Sequence, residues 1–348
     1  MRRPLRSGLT RGLIAFAVTT AVCALLCALS WGAIVLLRSP LEEQRAARWF
    51  APEKDAYLQF SVFLDTDASF TPDSVLYVRQ SLESSFAAAS IIAPSKSARV
   101  FLDAYSCEGT IYLEPAEHAL NASGFTATVT AVGGDFFYFH RLRFLSGQPI
   151  YSDDYTLERI VLDESAAWKL CGSVDIAGMT VRIGDTPYEI AGVVEKADTE
   201  TYGSVPRVYL SYEAYAAYLS DEPAISCYEL LLPEPFEGFA QDRLKSALSM
   251  GDGQSVIVRN EARFRLFALI RGLGDLPKAG IRDNRIVYPH WENHAVTVLA
   301  KCTLLSAVFA VFAVIGILIL AFGFVLGLVL LNNRLSDYRA EKKRRHDI

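Results

Sequence analysis

His290 and His294 stand four residues apart, the nearest this chain comes to two imidazoles on one helical face. Such a pair is where zinc chemistry would begin. No HExxH or comparable motif is present, and His118, His140 and His346 are scattered. Pro289, Trp291, Glu292 and Asn293 surround the pair at the entrance to an apolar run, where interfacial Trp and polar residues are expected in any case. The spacing therefore predicts an interface and no metal.

Other chemistries lack their residues too. There is no GxxxxGK[ST] loop, so the chain carries no phosphate cradle of its own, and Gly272, Gly274 and Gly280 lack GxGxxG spacing. Ser165 lies in Asp163-Glu164-Ser165-Ala166 without a GxSxG elbow, and the Asp153/Asp154 and Asp163/Glu164 pairs read as turn and helix-start residues. Cys23, Cys27 and Cys302 fall in apolar runs, leaving Cys107, Cys171 and Cys227 in the polar part with no CxxC or His/Cys spacing. One disulfide with a third free thiol fits these three, and so do three buried thiols acting as small apolar residues, the commoner use. No cofactor, metal or catalytic residue is predicted, and the chain does not read as an enzyme.

What must position everything else is a pair of apolar runs. Residues 12–37, between Arg11 and Arg38, are uncharged and long enough to cross a hydrocarbon core of about 30 Å. Residues 302–333 are also uncharged and exceed that core as one straight helix, which predicts a tilt or a projecting stalk, residues 296–333 forming stalk and span together. A cleaved signal peptide is the rival reading of the first run, which is long for a signal core. Two short helices hinged near Gly316 or Gly323 is the rival for the second, which is short for two crossings. Gly316, Gly323 and Gly327, at spacings of seven and four, line one stripe and predict an interface with another helix, in a homodimer or in a partner subunit.

Arg2, Arg3, Arg6 and Arg11 precede the first run, and Arg334, Arg339, Lys342, Lys343, Arg344 and Arg345 follow the second. Cationic flanks mark cytoplasmic ends, so residues 1–11 and 334–348 are expected inside, with a two-pass chain in the cell membrane and residues 38–295 outside. Setting those ten basic residues aside leaves 24 Lys and Arg. Setting Asp337, Glu341 and Asp347 aside leaves 36 Asp and Glu, so the rest of the chain carries a formal charge of −12. Such a domain would be repelled by nucleic acid and by anionic lipid over most of its surface.

The fold class read from the pattern is α+β. Residues 57–65 alternate as a strand, Val75, Val78, Leu82 and Phe86 recur at helical spacing after Pro72, and strands are expected at 99–105, 110–113 and 125–132. Shorter elements follow: a strand at 159–162, a helix at 164–170, strands at 180–183 and 188–194 turned by Asp185-Thr186-Pro187, and a strand at 206–210. Strand, helix and strand then repeat at 228–232, 239–248 and 255–258. Tyr212, Tyr215 and Tyr218 share a helix face that suits an aromatic or peptidic ligand, although packing beneath a sheet is the commoner use. Residues 195–200 are acidic, as a solvated loop would be.

In the middle of this pattern lie Gly133-Gly134-Asp135-Phe136-Phe137, Leu145-Ser146-Gly147-Gln148-Pro149, Val161-Leu162-Asp163-Glu164 and Trp168-Lys169-Leu170-Cys171-Gly172. Gly178-Met179-Thr180-Val181-Arg182-Ile183-Gly184 and Tyr188-Glu189-Ile190-Ala191-Gly192-Val193-Val194 follow. As an ordered set over about 75 residues they resemble the periplasmic core domain of MacB-like (FtsX/MacB-type) ABC transporter permeases. The resemblance implies a two-lobed extracytoplasmic domain, a porter-like α/β lobe with an inserted β-rich lobe at about 145–210, hung between two transmembrane helices. It implies dimers working with a separate cytoplasmic ATPase, which move the outer domain mechanically.

On this reading Gly133, Gly134, Asp135, Phe136, Gly147, Gly172, Gly178, Gly184 and Gly192 define the fold and do no catalysis. Gly133, Gly134 and Gly184 are expected at turns needing positive φ, while Gly172 and Gly178 bracket a helix-to-strand link. Permeases of this kind carry four transmembrane helices, and two are read here. The expectation is a half-length, permease-like component whose outer domain binds a peptide, lipid or protein, with a membrane-anchored binding or sensor module as the alternative.

Overall fold

The structure, a computed structural model, describes residues 4–44, 57–93, 95, 98–115, 123–151, 154, 156–197, 201–219, 221–251, 253–276, 282–283 and 286–346. Two compact units emerge: residues 1–40, 265–277 and 298–348, and residues 41–264 with 278–297.

The first unit is built on α1 (Pro4–Arg38) and the greater part of α8 (His290–His346). Both are long and apolar enough to cross a membrane. The apolar surface runs round both helices, with Leu29, Leu36, Ile317, Phe322 and Phe324 all exposed. Thr19, Thr20 and Ser30 return their hydroxyls to the carbonyls of Ala15, Phe16 and Leu26, which satisfies them without water. α8 is one uninterrupted helix, so neither Gly316 nor Gly323 is a hinge.

The two helices run antiparallel along a seam that mixes small residues with aromatic rings. A Cβ on Gly316 would lie 3.5 Å from Cys23 Cβ, and one on Gly323 would lie 2.5 Å from the Phe16 ring. Seven residues separate the contacts on each helix, the repeat of a left-handed pair. Further along, the Cys27 thiol lies 3.7 Å from the Phe309 carbonyl and Trp31 packs 6.1 Å from the Phe309 ring. Gly316 and Gly323 meet the first helix of their own chain, while a Cβ on Gly327 would meet nothing within 4 Å outside its own helix.

The second unit is a mixed α+β domain around one ten-stranded sheet. Its strands are β1 (Tyr57–Leu64), β2 (Leu102–Pro115), β3 (Phe125–Gly134), β4 (Phe144–Gly147), β5 (Arg159–Asp163), β6 (Thr180–Ile183), β7 (Thr186–Val194), β8 (Arg207–Ser211), β9 (Cys227–Pro233) and β10 (Ser255–Arg259). The order is β10-β1-β9-β2-β3-β8-β5-β7-β4, with β6 pairing β2 and β7. Strands β4 to β8, drawn from the segment expected to form an inserted lobe, continue the sheet, joined through the parallel β3–β8 pairing.

Where two strands were expected at 99–105 and 110–113, β2 runs through. Cys107, Glu108 and Gly109 stay paired with Ala131, Thr130 and Val129 of the long β3, so the polar interruption does not break the ladder. The β6–β7 turn falls at Gly184-Asp185, with Ile183 paired to Thr186.

One face of the sheet carries the main core. α2 (Pro72–Ala88) starts at Pro72, and Val75, Val78, Leu82 and Phe86 are all fully buried. Phe86 meets Phe239 of α6 (Phe239–Leu248) at 6.1 Å. α4 (Glu164–Cys171) is capped by the Asp163 carboxylate accepting from the Ala166 N–H, and α5 (Tyr212–Tyr218) by Ser211 accepting from Ala214. Tyr212 and Tyr215 are buried beneath the sheet, and the Tyr212 hydroxyl bonds the Pro223 carbonyl, so most of that tyrosine face is core. The opposite face is smaller. There α3 (Phe136–Phe139), Ile150, Val161, Tyr209 and Leu231 pack with Trp291 from the start of α8.

Candidate functional site

The root of α8 is where the domain concentrates charge. Pro289 fixes the backbone before the helix, and its first turn carries His290, Trp291, Glu292 and Asn293, of which Trp291 packs on the small face of the sheet. Glu292, only 3% exposed, takes a two-pronged bond from Arg263, Nη1 to Oε1 at 2.5 Å and Nη2 to Oε2 at 2.9 Å. Burial pushes the Glu292 carboxyl above its ordinary range, with Arg263 opposing. Trp291 packs edge-on against Phe136 at 5.8 Å and beside His140 at 4.6 Å. Asn293 ties the first turn back to the Tyr288 carbonyl at 3.1 Å.

His290 stacks edge-on to Tyr202 at 4.9 Å, and its Nδ1 lies 3.8 Å from Glu108 Oε1. Burial lowers the His290 pKa, an effect Glu108 only partly offsets. Burial alone would raise the Glu108 carboxyl, but His290 and the charge of Arg207 outweigh it and hold it below its usual value. Arg207 Nη1 donates to Glu108 Oε1 at 2.5 Å and to Thr130 at 2.9 Å, while its backbone N–H donates to Asp163 at 3.0 Å. Burial raises the Asp163 carboxyl against the bonds from Ala166, Arg207 and Tyr202.

Beneath Trp291, His140 Nε2 lies 2.5 Å from Glu229 Oε2, and Ser61 donates to the other oxygen at 3.3 Å. In this trio the carboxylate is central. A serine nucleophile needs the imidazole there, so the arrangement is structural.

A second feature lies among β2, β3 and α2: a cavity of about 560 Å³ lined by Arg79, Arg99, Asp103, Tyr105, Phe136 and Glu213, among others. Arg79 Nε bonds Asp103 Oδ2 at 2.7 Å, where the Tyr228 hydroxyl also donates at 2.8 Å. Arg99 grips both oxygens of Asp135, each at 2.7 Å. For Arg79 burial works against the charge, yet Asp103 outweighs it and raises the pKa; for Arg99 the bond to Asp135 is the main cause of a rise. Burial and the neighbouring Glu213 push Tyr105 up to about 12. Glu83, Asp103, Asp154 and Glu213 line the cavity against Arg79 and Arg99, so carboxylates outnumber guanidiniums.

Of the motif residues, Gly133, Gly134, Asp135 and Phe136 reach this cavity or its rim, and the others do not. Gly134 has φ +64°, but Gly133 is a correction: it lies in β3 without positive φ, and a side chain there would strike the Tyr105 ring. Gly147 and Gly192 face each other across β4 and β7. Gly172 closes α4 in the left-handed region, Gly178 turns into β6, and Gly184 turns β6 into β7. All six cysteines are free. His118, Asp153, Gly280 and the acidic stretch beyond Ala197 lie outside the described residues.

Neither Glu108 nor Arg207 stood out in the sequence: Glu108 is one of three acids along β2, and Arg207 is the single charge of the short β8. The signal that could have found them was a charge on an inward-facing strand position.

No curated protein matches the chain. Several solved structures are similar. The periplasmic region of MacB from Actinobacillus actinomycetemcomitans has 14% identity over 64% of this chain and 95% of that one, with a TM-score of 0.43. The extracellular domain of the noncanonic ABC-type transporter YknZ from Gram-positive bacteria has 12% identity over 57% of this chain and 99% of that one, with a TM-score of 0.40. The family model described as MacB-like periplasmic core domain matches residues 12–235, nearly two thirds of the sequence, and the chain belongs to that family.

Proposed function

We propose that this chain is a permease-like membrane component of an ABC-type export or mechanotransmission system, acting through its extracytoplasmic domain with a partner permease and a separate cytoplasmic ATPase. α1 and α8 span the cell membrane, with both basic termini inside and the sheet domain outside. The observation that carries the reading is the root of α8. One helix runs from buried ion pairs in the domain, Glu292–Arg263 among them, into the long apolar run without a break. A displacement of the helix therefore reaches the sheet through bonds that cannot be exchanged for water.

Two experiments test this. A membrane-impermeant thiol reagent on intact cells should label Asp154→Cys and spare Lys343→Cys; the reverse pattern ends the topology. Full-length chain purified from native membranes after mild cross-linking should bring down an ATPase subunit identified by mass spectrometry. Recovery of the chain without one would end the coupling.

The cavity favours a second reading, an anchored binding module that works without a motor. Its surplus of carboxylates and its aromatic wall suit a ligand with a basic group. Binding of a basic peptide to the full chain in nanodiscs, lost in Glu213→Gln and indifferent to any ATPase, would favour that reading.

A further inference from the structure

The short helix α7 (Leu266–Arg271) belongs to the unit that holds the two long helices, with residues 265–277 around it. Its sequence, Arg265-Leu266-Phe267-Ala268-Leu269-Ile270-Arg271-Gly272-Leu273-Gly274-Asp275-Leu276, mixes large apolar residues with two arginines and a single acid. Leu269 is buried and holds the helix down. Phe267, in contrast, is 83% exposed, and Leu273 and Leu276, further along the same segment, are exposed as well. A phenylalanine so fully presented is poorly suited to water.

Its level along the long helices can be counted. A Cβ on Gly272 would lie 3.7 Å from the Thr303 side chain, so the end of α7 sits beside Thr303 of α8. From the Cys23–Gly316 contact, fifteen residues outward on each helix bring Arg38 level with Lys301. Those are the first charges at this end of both apolar runs. Thr303 lies two residues inside that level, about 3 Å at the rise of a helix. The headgroup zone begins where such runs end.

We infer that residues 265–276 form an interfacial anchor, with Phe267, Leu273 and Leu276 entering the upper acyl region and Arg265 and Arg271 meeting lipid phosphates. The occupant of this exposed face is the outer leaflet itself. The apolar surface of α1 and α8 continues to the level of α7, and the arginines match the charge of the phosphates. The anchor rests on the reading of α1 and α8 as spans. Lying between the sheet domain and α8 in sequence, it fixes the connecting segment at the bilayer surface.

The test uses the full chain in nanodiscs, with an environment-sensitive fluorescent amino acid at position 267 and, in a separate protein, at position 318 on exposed Leu318. The reporter at 267 should emit blue-shifted in the bilayer and be strongly quenched by lipids brominated near the top of the acyl chain, while aqueous iodide leaves it bright. The reporter at 318 should be quenched by deeper bromines. Quenching at 318, with iodide-sensitive and bromine-insensitive emission at 267, overturns the anchor and leaves the spans intact. Absence of lipid quenching at both positions overturns the spans and the anchor together. In the intact protein, Arg265→Gln with Arg271→Gln should weaken lipid quenching at 267 without changing it at 318.

Discussion

The ring of Phe16 occupies the space in which a side chain on Gly323 would begin, 2.5 Å from the Cβ position. The absence of a side chain on α8 is filled by an aromatic from α1. In lipid, where water does not drive helices together, such close packing is a main source of association. Gly323→Leu should therefore separate the helices, and Phe16→Ala in the same chain should restore part of the contact.

The neighbouring contact gives a covalent readout. A cysteine at Gly316 would place its Cβ 3.5 Å from that of Cys23, within the range a disulfide bridges, about 3.5–4.5 Å. Mild oxidation of Gly316→Cys in membranes should remove two thiols and yield a linked Cys23-containing peptide by mass spectrometry. Adding Gly323→Leu should lower that yield. No linkage, with both thiols open to alkylation, would show the seam to be elsewhere.

Arg263→Ala should cost roughly 3–5 kcal/mol, because it strands a buried carboxylate on Glu292. Replacing both partners with apolar residues of similar size should cost much less. Denaturant unfolding of the three proteins provides the comparison. Hydrogen exchange should place the loosening in the first turn of α8, and equal losses in the single and double variants would contradict the account.

The His290 corner makes the root sensitive to acid. Its pKa is lowered in the folded chain, so below the ordinary histidine value of about 6.5 the unfolded chain takes up a proton that the folded one resists. Stability is lost as pH falls through that window. The lowered Glu108 pKa works in the same direction, but only below about 4.3, and the raised Glu292 pKa works the opposite way, favouring the fold on acidification. Between about pH 7.5 and 5.5 the parent should lose melting temperature relative to His290→Gln. Parallel curves for the two would remove His290 as the cause.

Gly134 and Gly172 share φ +64°, yet a Cβ on Gly134 would lie 2.5 Å from the Asp103 carbonyl oxygen while Gly172 has open space. Gly172→Ala should cost only the backbone term, about 1–2 kcal/mol, and Gly134→Ala distinctly more. Chemical denaturation of both separates conformational strain from crowding.

These positions show how far the sequence could be read. Val75, Val78, Leu82 and Phe86 disclosed α2 because helical periodicity is local, and Gly172 disclosed the end of α4 for the same reason. Gly133 looked like a turn residue, since nothing nearby in sequence names Tyr105 as the ring it must clear. Glu108, Arg207 and His290 come from β2, β8 and α8, and only the order of strands brings them together. The interfacial face of α7 was illegible too: six residues are too few for periodicity to register.

Strand β1 has both of its neighbours, β9 and β10, at residues 227–259. During synthesis it therefore emerges without a partner and waits for more than 160 further residues. At about 5–20 residues per second, that delay is on the order of ten to thirty seconds. Throughout it, the Phe60-Ser61-Val62-Phe63-Leu64 segment offers an unpaired backbone and an apolar face, a template for wrong pairing. The sheet thus closes only when β10 has been made, about thirty residues before α8 begins, so the strand laid down first is among the last to be paired on both edges.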